Sequence, residues 1–335
     1  MRSYYRPIAQ LDPCRPPHAR PLAGGWAWFD RAERLTRGGA EMVSAEDIPR
    51  DVLERLTAPR APIAGLTWDA PRLMGILNVT PDSFSDGGQF HAPEAALAQA
   101  KAMAEAGADL IDVGGESTRP GALPVAVSDE IARTAPVIAA IRQVLGTPIS
   151  IDTRKADVAQ AAIEAGGTLV NDVSGFTFDA ALAPYCAGAR LPVCVMHAQG
   201  DPQTMQDAPS YDDVTLDVYD FLAGRIDALV AQGIPRAAII VDPGIGFGKT
   251  QAHNLTLLSR LSVFHGLGCP ILLGASRKKF IGTISGAPEA SDRMPGSVAV
   301  ALAGIAQGVQ IIRAHDVRAT RAAMQLWRAA TTGAA

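Results

Sequence analysis

The stretch Met74-Gly75-Ile76-Leu77-Asn78-Val79-Thr80-Pro81-Asp82-Ser83-Phe84-Ser85-Asp86-Gly87-Gly88 changes character midway, from an apolar run to a polar, turn-rich one. Arg72 to Leu77 is short and mostly apolar, the composition of a strand covered on both faces. The strand cannot continue beyond it, because Pro81 lacks a backbone donor, Asp82-Ser83 favour turns, and Gly87-Gly88 admit positive φ. Asn78 stands at the strand end and Asp86 in the loop, so an amide and a carboxylate can approach one ligand from two directions.

The same grammar recurs along the chain. Asp109 to Val113 runs into Gly114-Gly115-Glu116-Ser117-Thr118-Arg119-Pro120, and Pro148 to Ile151 into Asp152-Thr153-Arg154. Thr168 to Val170 precedes Asn171-Asp172, Leu191 to Met196 precedes His197, and Ala238 to Val241 precedes Asp242. Ile271 to Leu273 leads to Gly274-Ala275-Ser276-Arg277-Lys278, and Val309 to Ile312 to Arg313-Ala314-His315. Between these runs lie Ala-rich stretches of helical spacing, at Pro93 to Ala106, Asp129 to Val144, Lys155 to Ala165 and Tyr211 to Gln232. About eight strand–helix units over roughly 250 residues predict an α/β fold, a (β/α)8 TIM barrel. An open doubly wound sheet is the alternative, but it gathers its site at one switch point, whereas here polar groups follow nearly every strand. A barrel brings all the strand ends to one mouth.

Composition sets further bounds. With 335 residues, 48% hydrophobic and only 5% aromatic, the chain can bury one large aliphatic core plus an appendage. A net charge of −4 gives no general attraction for nucleic acid or an anionic membrane, so any anionic ligand needs local cations. Arg119, Lys278, Arg313 and His315 can supply them. Cys14, Cys186, Cys194 and Cys269 show no C-x-x-C spacing and read as buried free thiols. No apolar stretch is long enough to span a bilayer, and the N-terminus lacks a signal-like segment, so the expected location is cytoplasmic.

Residues 1–70 read as an N-terminal extension, 71–330 as the barrel and 331–335 as a tail. In the extension, Pro7, Pro13, Pro16, Pro17 and Pro21 oppose an amphipathic targeting helix, and Ala40 to Thr57 has helix-like spacing. Trp26, Trp28 and Phe29 are too large to stand bare without purpose, and a surface anchor is slightly favoured over local folding.

Two glycine motifs fail on inspection. Gly244-Ile245-Gly246-Phe247-Gly248-Lys249-Thr250 would need glycine where Pro243 stands to be a phosphate loop, and its third glycine comes one residue early for a dinucleotide fingerprint. These glycines instead allow close backbone approach or a sharp turn at Phe247.

The carboxylates of Asp152 and Asp242, with the amide of Asn171, can pair with adjacent donors and acceptors on a planar heterocycle such as a 2-amino-4-oxo-pyrimidine edge. Lys278 can face the carbonyl or ring-nitrogen side. Arg313 and His315, two residues apart on the last strand, point the same way and make an anion clamp. Asn78 can offer an oxygen to Mg2+, which binds phosphate esters through few protein groups. Each residue has a plainer role as well: Asp152 or Asp242 capping a helix, Lys278 solvated at a helix start, His315 hydrogen-bonded at a helix N-terminus.

Taken together, the Asn78 to Gly88 loop, Asp109 to Gly121, Ile151 to Lys155, Asn171 to Gly175, Met196-His197, Asp242 to Lys249, Ser276-Arg277-Lys278 and Arg313 to Asp316 resemble the dihydropteroate synthase family, over about residues 71–330. The resemblance implies condensation of 6-hydroxymethyl-7,8-dihydropterin diphosphate with p-aminobenzoate, yielding 7,8-dihydropteroate and pyrophosphate. It implies that Asp152, Asn171, Asp242 and Lys278 hold the pterin, and that Asn78, Arg313 and His315 hold diphosphate and Mg2+. It places Thr118, Arg119, Pro120, Phe247 and Ser276 around the aminobenzoate or adjacent diphosphate, and Phe84 and Asp86 in a closing first loop. It also implies a homodimer, for which the small-residue helix Ser297 to Gly308 is a plausible contact, and sensitivity to sulfonamides. A pterin-dependent methyltransferase is the competing enzyme reading and a non-catalytic pterin-binding protein the competing class. Arg313-Ala314-His315, Lys278 and the Asp82 to Gly88 loop favour the synthase over the methyltransferase, which has no diphosphate to stabilise, and the intact set of charged groups disfavours a non-catalytic binder.

Overall fold

The computed structural model describes residues 2–80, 92–117, 121–200 and 204–333. The chain begins with β1 (Tyr4–Pro7), β2 (Arg20–Pro21), β3 (Trp28–Phe29), β4 (Arg31–Thr36), β5 (Gly39–Ser44) and α1 (Arg50–Thr57). β1, β4 and β5 form an antiparallel sheet with β4 in the middle, and β2 pairs with β3. The helix-like spacing from Ala40 to Thr57 is therefore only half helix. The turn at Gly38, whose N–H is accepted by Thr36 Oγ1 at 3.2 Å, folds residues 39–44 back onto β4 as an edge strand.

Of the aromatic cluster, Trp28 and Phe29 are buried and Trp26 is half-buried against the barrel. Phe29 is fully buried with Leu22, Ala32, Ile48 and Leu56. Trp28 Nε1 donates to Asp12 O at 2.8 Å, and Trp26 Nε1 reaches Ile305 O on the barrel at 3.1 Å. Ser262 Oγ donates to Pro7 O at 2.8 Å and Tyr4 Oη to Asp220 at 2.7 Å, so the small sheet lies against the barrel wall.

The rest alternates strand and helix: β6 (Arg72–Asn78), α2 (Ala92–Glu105), β7 (Leu110–Gly114), α3 (Val127–Val144), β8 (Ile149–Asp152), α4 (Ala156–Glu164), β9 (Leu169–Asp172) and α5 (Leu182–Gly188). Then follow β10 (Val193–Met196), α6 (Val214–Ala231), β11 (Ile239–Asp242), α7 (Gln251–Ser259), β12 (Leu272–Leu273), α8 (Lys279–Ser285), α9 (Met294–Ala306), β13 (Ile311–Ala314) and α10 (Val317–Thr332). All eight strands are parallel and each pairs with its neighbours in sequence, with β13 returning to β6. A parallel bridge between Val241 and Ile271 joins β11 to the approach of β12 and closes the seam. Sequential parallel pairing around the ring is the barrel topology, not the doubly wound one. Among the described residues no helix is long and apolar enough to cross a membrane. Cys186, Cys194 and Cys269 are buried and free; Cys14 is exposed.

Side chains on a strand alternate between barrel interior and helix layer. At the bottom, Met74, Leu110, Leu169, Cys194, Ile240, Leu272 and Ile311 form an apolar floor, plugged by Ile63, Leu66 and Trp68. The plug is a tight turn in which Ile63 and Leu66 exchange backbone hydrogen bonds, fixed by Trp68 Nε1 donating to Ala61 O at 2.7 Å. Thus the segment just before residue 71 completes the barrel core. Trp68→Ala is expected to cost about 3–5 kcal/mol in urea unfolding; a loss under about 1 kcal/mol would show that the plug is not part of the cooperative core.

Candidate active site

One step above the floor the interior turns polar. Asp112 follows Leu110 on the inward face of β7, and the same step places Asn171 after Leu169, Asp242 after Ile240 and Arg313 after Ile311. Arg313 Nε donates to Asp112 Oδ2 at 2.6 Å and its NH2 group to Asp152 Oδ2 at 2.9 Å. Asn171 Nδ2 donates to the same Asp112 oxygen at 3.2 Å. The guanidinium thus ties β13 to β7 and β8 across the interior.

Glycines leave room above these groups. A methyl on Gly114 would lie 3.9 Å from Asn78 Oδ1 and 3.8 Å from Asp152 Oδ2, so both oxygens face the same space. A methyl on Gly274 would lie 3.4 Å from Asp242 Oδ2 and 3.9 Å from Arg313 Cδ. Asn78, Asp152, Arg313 and Asp242 therefore line one mouth. Lys278, at the start of α8, brings its Nζ to 3.9 Å from the Phe247 ring centroid and lowers the pKa of Asp242 through its charge. Ser276 and His315 meet at the ends of β12 and β13: Ser276 Oγ accepts the His315 N–H at 3.2 Å and lies 3.0 Å from its Nδ1. Arg313 is thus shared with two carboxylates, and His315 is oriented by Ser276. Phe84, Asp86, Thr118, Arg119 and Pro120 lie outside the described residues.

Burial pushes the Asp152 carboxyl up to about 7, with Arg313 pulling it down and Asp112 pushing it further up. Burial likewise raises Asp242 to about 6, against the Gly244 N–H that donates to its Oδ1 at 2.7 Å and the charges of Lys278 and Arg313. Burial opposes the charge on Arg313, but Asp112 and Asp152 more than offset it and hold the guanidinium ionised.

Two functional residues escaped the sequence reading. Asp112 was legible only as an acid two residues after Leu110, one layer below the strand end where ligand groups are sought. Lys249 closes the glycine loop from beneath: its Nζ lies 2.8 Å from His197 Nδ1 and donates to Gly244 O and Phe247 O, both at 2.9 Å. Burial, then the Lys249 charge, pushes His197 down to about 2, so its ring is neutral and can accept from Lys249. Gly244, at φ +69°, has no room for a side chain, since a Cβ would lie 1.8 Å from His197 O. The lysine resembling a phosphate-loop residue is therefore a buried staple, and the loop it holds presents Phe247 beneath Lys278.

Were Mg2+ to bind here, Asn78 Oδ1 would offer one neutral oxygen; among the described residues no group of three or more His, Cys, Asp or Glu could cage an ion. That donor set fits a magnesium ion carried mainly by phosphate and water.

These features define a (β/α)8 enzyme with a polar mouth, and a family model described as pterin binding enzyme matches residues 74–315. The dihydropteroate synthase of Synechocystis is 44% identical over 285 residues, covering 83% of this chain and 99% of that protein. The dihydropteroate synthase of Xanthomonas albilineans, solved with 4-aminobenzoic acid, superposes with a TM-score of 0.76 at 45% identity, over 81% of this chain and 98% of that one. The Yersinia pestis dihydropteroate synthase, solved in a sulfonamide drug complex, gives a TM-score of 0.76 at 44% identity, over 81% and 98%. The chain belongs to the dihydropteroate synthase family.

The raised carboxyls make a pH prediction. Unfolded Asp titrates near 4, so between about 4 and 7 the folded protein binds protons that the unfolded chain has released. Stability contributed by Asp152 and Asp242 therefore falls as pH rises through that window. Urea midpoints measured from about pH 5 to 7.5 should decline less steeply in Asp152→Asn than in the parent; identical slopes would refute the raised carboxyl.

Proposed function

We propose that this chain condenses 6-hydroxymethyl-7,8-dihydropterin diphosphate with p-aminobenzoate to give 7,8-dihydropteroate and pyrophosphate. The observation that carries the reading is the convergence of Asp152, Asp242, Lys278 and Arg313 on one mouth, above an apolar floor, in a chain of this family. Asp152, Asn171, Asp242 and Lys278 bind the pterin edge, because carboxylates accept paired N–H donors and the lysine donates to ring oxygen or nitrogen. Arg313 and His315 bind the diphosphate, and Asn78 would supply an oxygen to Mg2+. When bound, the metal neutralises phosphate charge. Phe247 and Ser276, with Thr118, Arg119 and Pro120 from the loop after β7, frame the aminobenzoate.

The cations stabilise the charge that grows on the departing diphosphate, so the methylene carbon becomes positive as its C–O bond weakens. On this reading Asp86, outside the described residues, would add a negative field at that carbon, and exclusion of water would protect it from capture. The arylamine is a nucleophile in its neutral form and needs no strong base. A sulfonamide would compete for the aminobenzoate position. The protein acts in the cytoplasm as a homodimer on this reading. Helix α9 (Met294–Ala306) contains no charged residue, although Ala299 and Ala303 are exposed on it, which suits close contact between two copies.

Incubation with both substrates and Mg2+ should release pyrophosphate; a pterin methyltransferase or a non-catalytic binder would release none. Lys278→Ala should weaken pterin binding in calorimetry roughly 10- to 100-fold, the worth of one charge-assisted hydrogen bond. Unchanged affinity would remove Lys278 from the pterin site. Light scattering should give a dimer for the parent and a monomer for Ala299→Arg, and a monomeric parent would refute the assembly.

A further inference from the structure

The segment Ser276-Arg277-Lys278 carries a strained residue between two side chains of the site: Arg277 has φ +59°. A residue other than glycine is disfavoured there, because its Cβ crowds the following carbonyl, and it persists only where its surroundings over-determine the turn. Here they do. The Arg277 N–H donates to Ser297 Oγ at 2.9 Å, and the Arg277 carbonyl accepts from the NH1 group of Arg293 at 3.1 Å. Ser297 Oγ in turn donates to Arg293 O at 2.7 Å, so the start of α9 holds both backbone groups. The guanidinium grips Asp316 with two hydrogen bonds, Nε to Oδ2 at 3.0 Å and NH2 to Oδ1 at 2.5 Å. Two successive residues of this loop are therefore fastened to two successive residues beyond β13, Ser276 to His315 and Arg277 to Asp316.

Glycine would make this turn without strain, but it offers nothing to Asp316. With the two side chains 33% and 20% exposed, the ion pair adds little to stability. What the arginine adds is a planar fork that fixes direction as well as distance. The direction of the turn sets where the next side chain leaves, and the next is Lys278. Its path is narrow: a Cβ on Gly246 would lie 3.0 Å from Lys278 Cδ, and Lys278 Nζ stands 3.9 Å from the Phe247 ring centroid. We propose that Arg277 is a positioning residue, whose strained turn, clamped by Asp316, aims Lys278 at the pterin edge from the same frame that carries Arg313 and His315. This rests on the functional reading above, in which Lys278 binds the pterin.

The test is a double-variant cycle on the full chain, read by calorimetry with 6-hydroxymethylpterin. Arg277→Gly keeps the turn and loses the fork, and should weaken binding roughly tenfold. If the arginine acts through Lys278, then Lys278→Ala should cost about tenfold less in the Arg277→Gly background than in the parent. Asp316→Asn leaves the Arg277 backbone as it is, weakens the pair from the other side and should show the same non-additivity; it decides the matter if Arg277→Gly does not fold. Additive losses, or no loss from Lys278→Ala or from Arg277→Gly, would overturn the positioning role, since a merely structural arginine would not couple to Lys278. A parent that shows the coupling yet releases no pyrophosphate refutes the functional reading alone. One that releases pyrophosphate while the losses add refutes the positioning alone.

Discussion

The guanidinium of Arg313, gripped between Asp112 and Asp152 inside a closed barrel, is the interaction on which the site depends. A barrel of eight strands has an interior just wide enough for side chains to fill. Here the floor is filled with aliphatic groups and the layer above with opposite charges. Ion pairs at that depth lose most of their hydration, so they persist only when each partner is well matched. Asp112 Oδ2 accepts from both Arg313 and Asn171, which makes one buried oxygen the reference point for three strands. Remove the arginine and two buried carboxylates are left without a shared counter-charge; remove Asp112 and Asn171 and Arg313 lose their common anchor.

That layer matters because the groups above it are adjustable. Asp152 sits where burial and Arg313 pull in opposite directions, and Asp242 where burial opposes a backbone N–H and a lysine. The apolar floor beneath, sealed by Trp68, keeps these balances from being short-circuited by solvent. On the other flank, Lys249 supplies order without contacting the mouth. By binding two carbonyls of its own loop and the His197 ring, it turns a glycine-rich segment, flexible by composition, into a fixed shelf for Phe247.

Much of this was legible in the chain itself, for physical reasons that also mark the boundary. Apolar runs ending in polar residues, spaced by Ala-rich helices, disclosed eight parallel strands, because burial on both faces and a change of solvent at the strand end leave a local imprint. Asn78, Asp152, Asn171, Asp242 and Arg313 at the strand ends, and Lys278 in the polar segment after β12, were visible for the same cause. What was not legible depends on partners distant in sequence. Residues 40–44 have a periodicity compatible with helix, and only pairing with β4 makes them a strand. Trp26 and Phe29 look like a surface patch until a helix from the far end of the chain and a small local core cover them. Asp112 and Lys249 act through contacts spanning 201 and 52 positions respectively, and no local pattern encodes such contacts.

The shared guanidinium also links the two halves of the proposed reaction. An anion entering the mouth competes with Asp152 for the NH2 group of Arg313. If it wins, Asp152 loses a neighbour whose charge lowers its pKa and keeps Asp112, Glu130 and Asp172, all of which raise it. An ionised Asp152 then needs either a proton or new hydrogen-bond donors, and the N–H edge of a pterin provides donors at that position. On this reading diphosphate and pterin, being parts of one molecule, satisfy both demands at once, whereas diphosphate alone leaves Asp152 without a compensating partner. On the proposed reading, the Arg313–Asp152 ion pair thus disfavours free diphosphate relative to the intact diphosphate ester, because only the ester brings the N–H donors that Asp152 then needs.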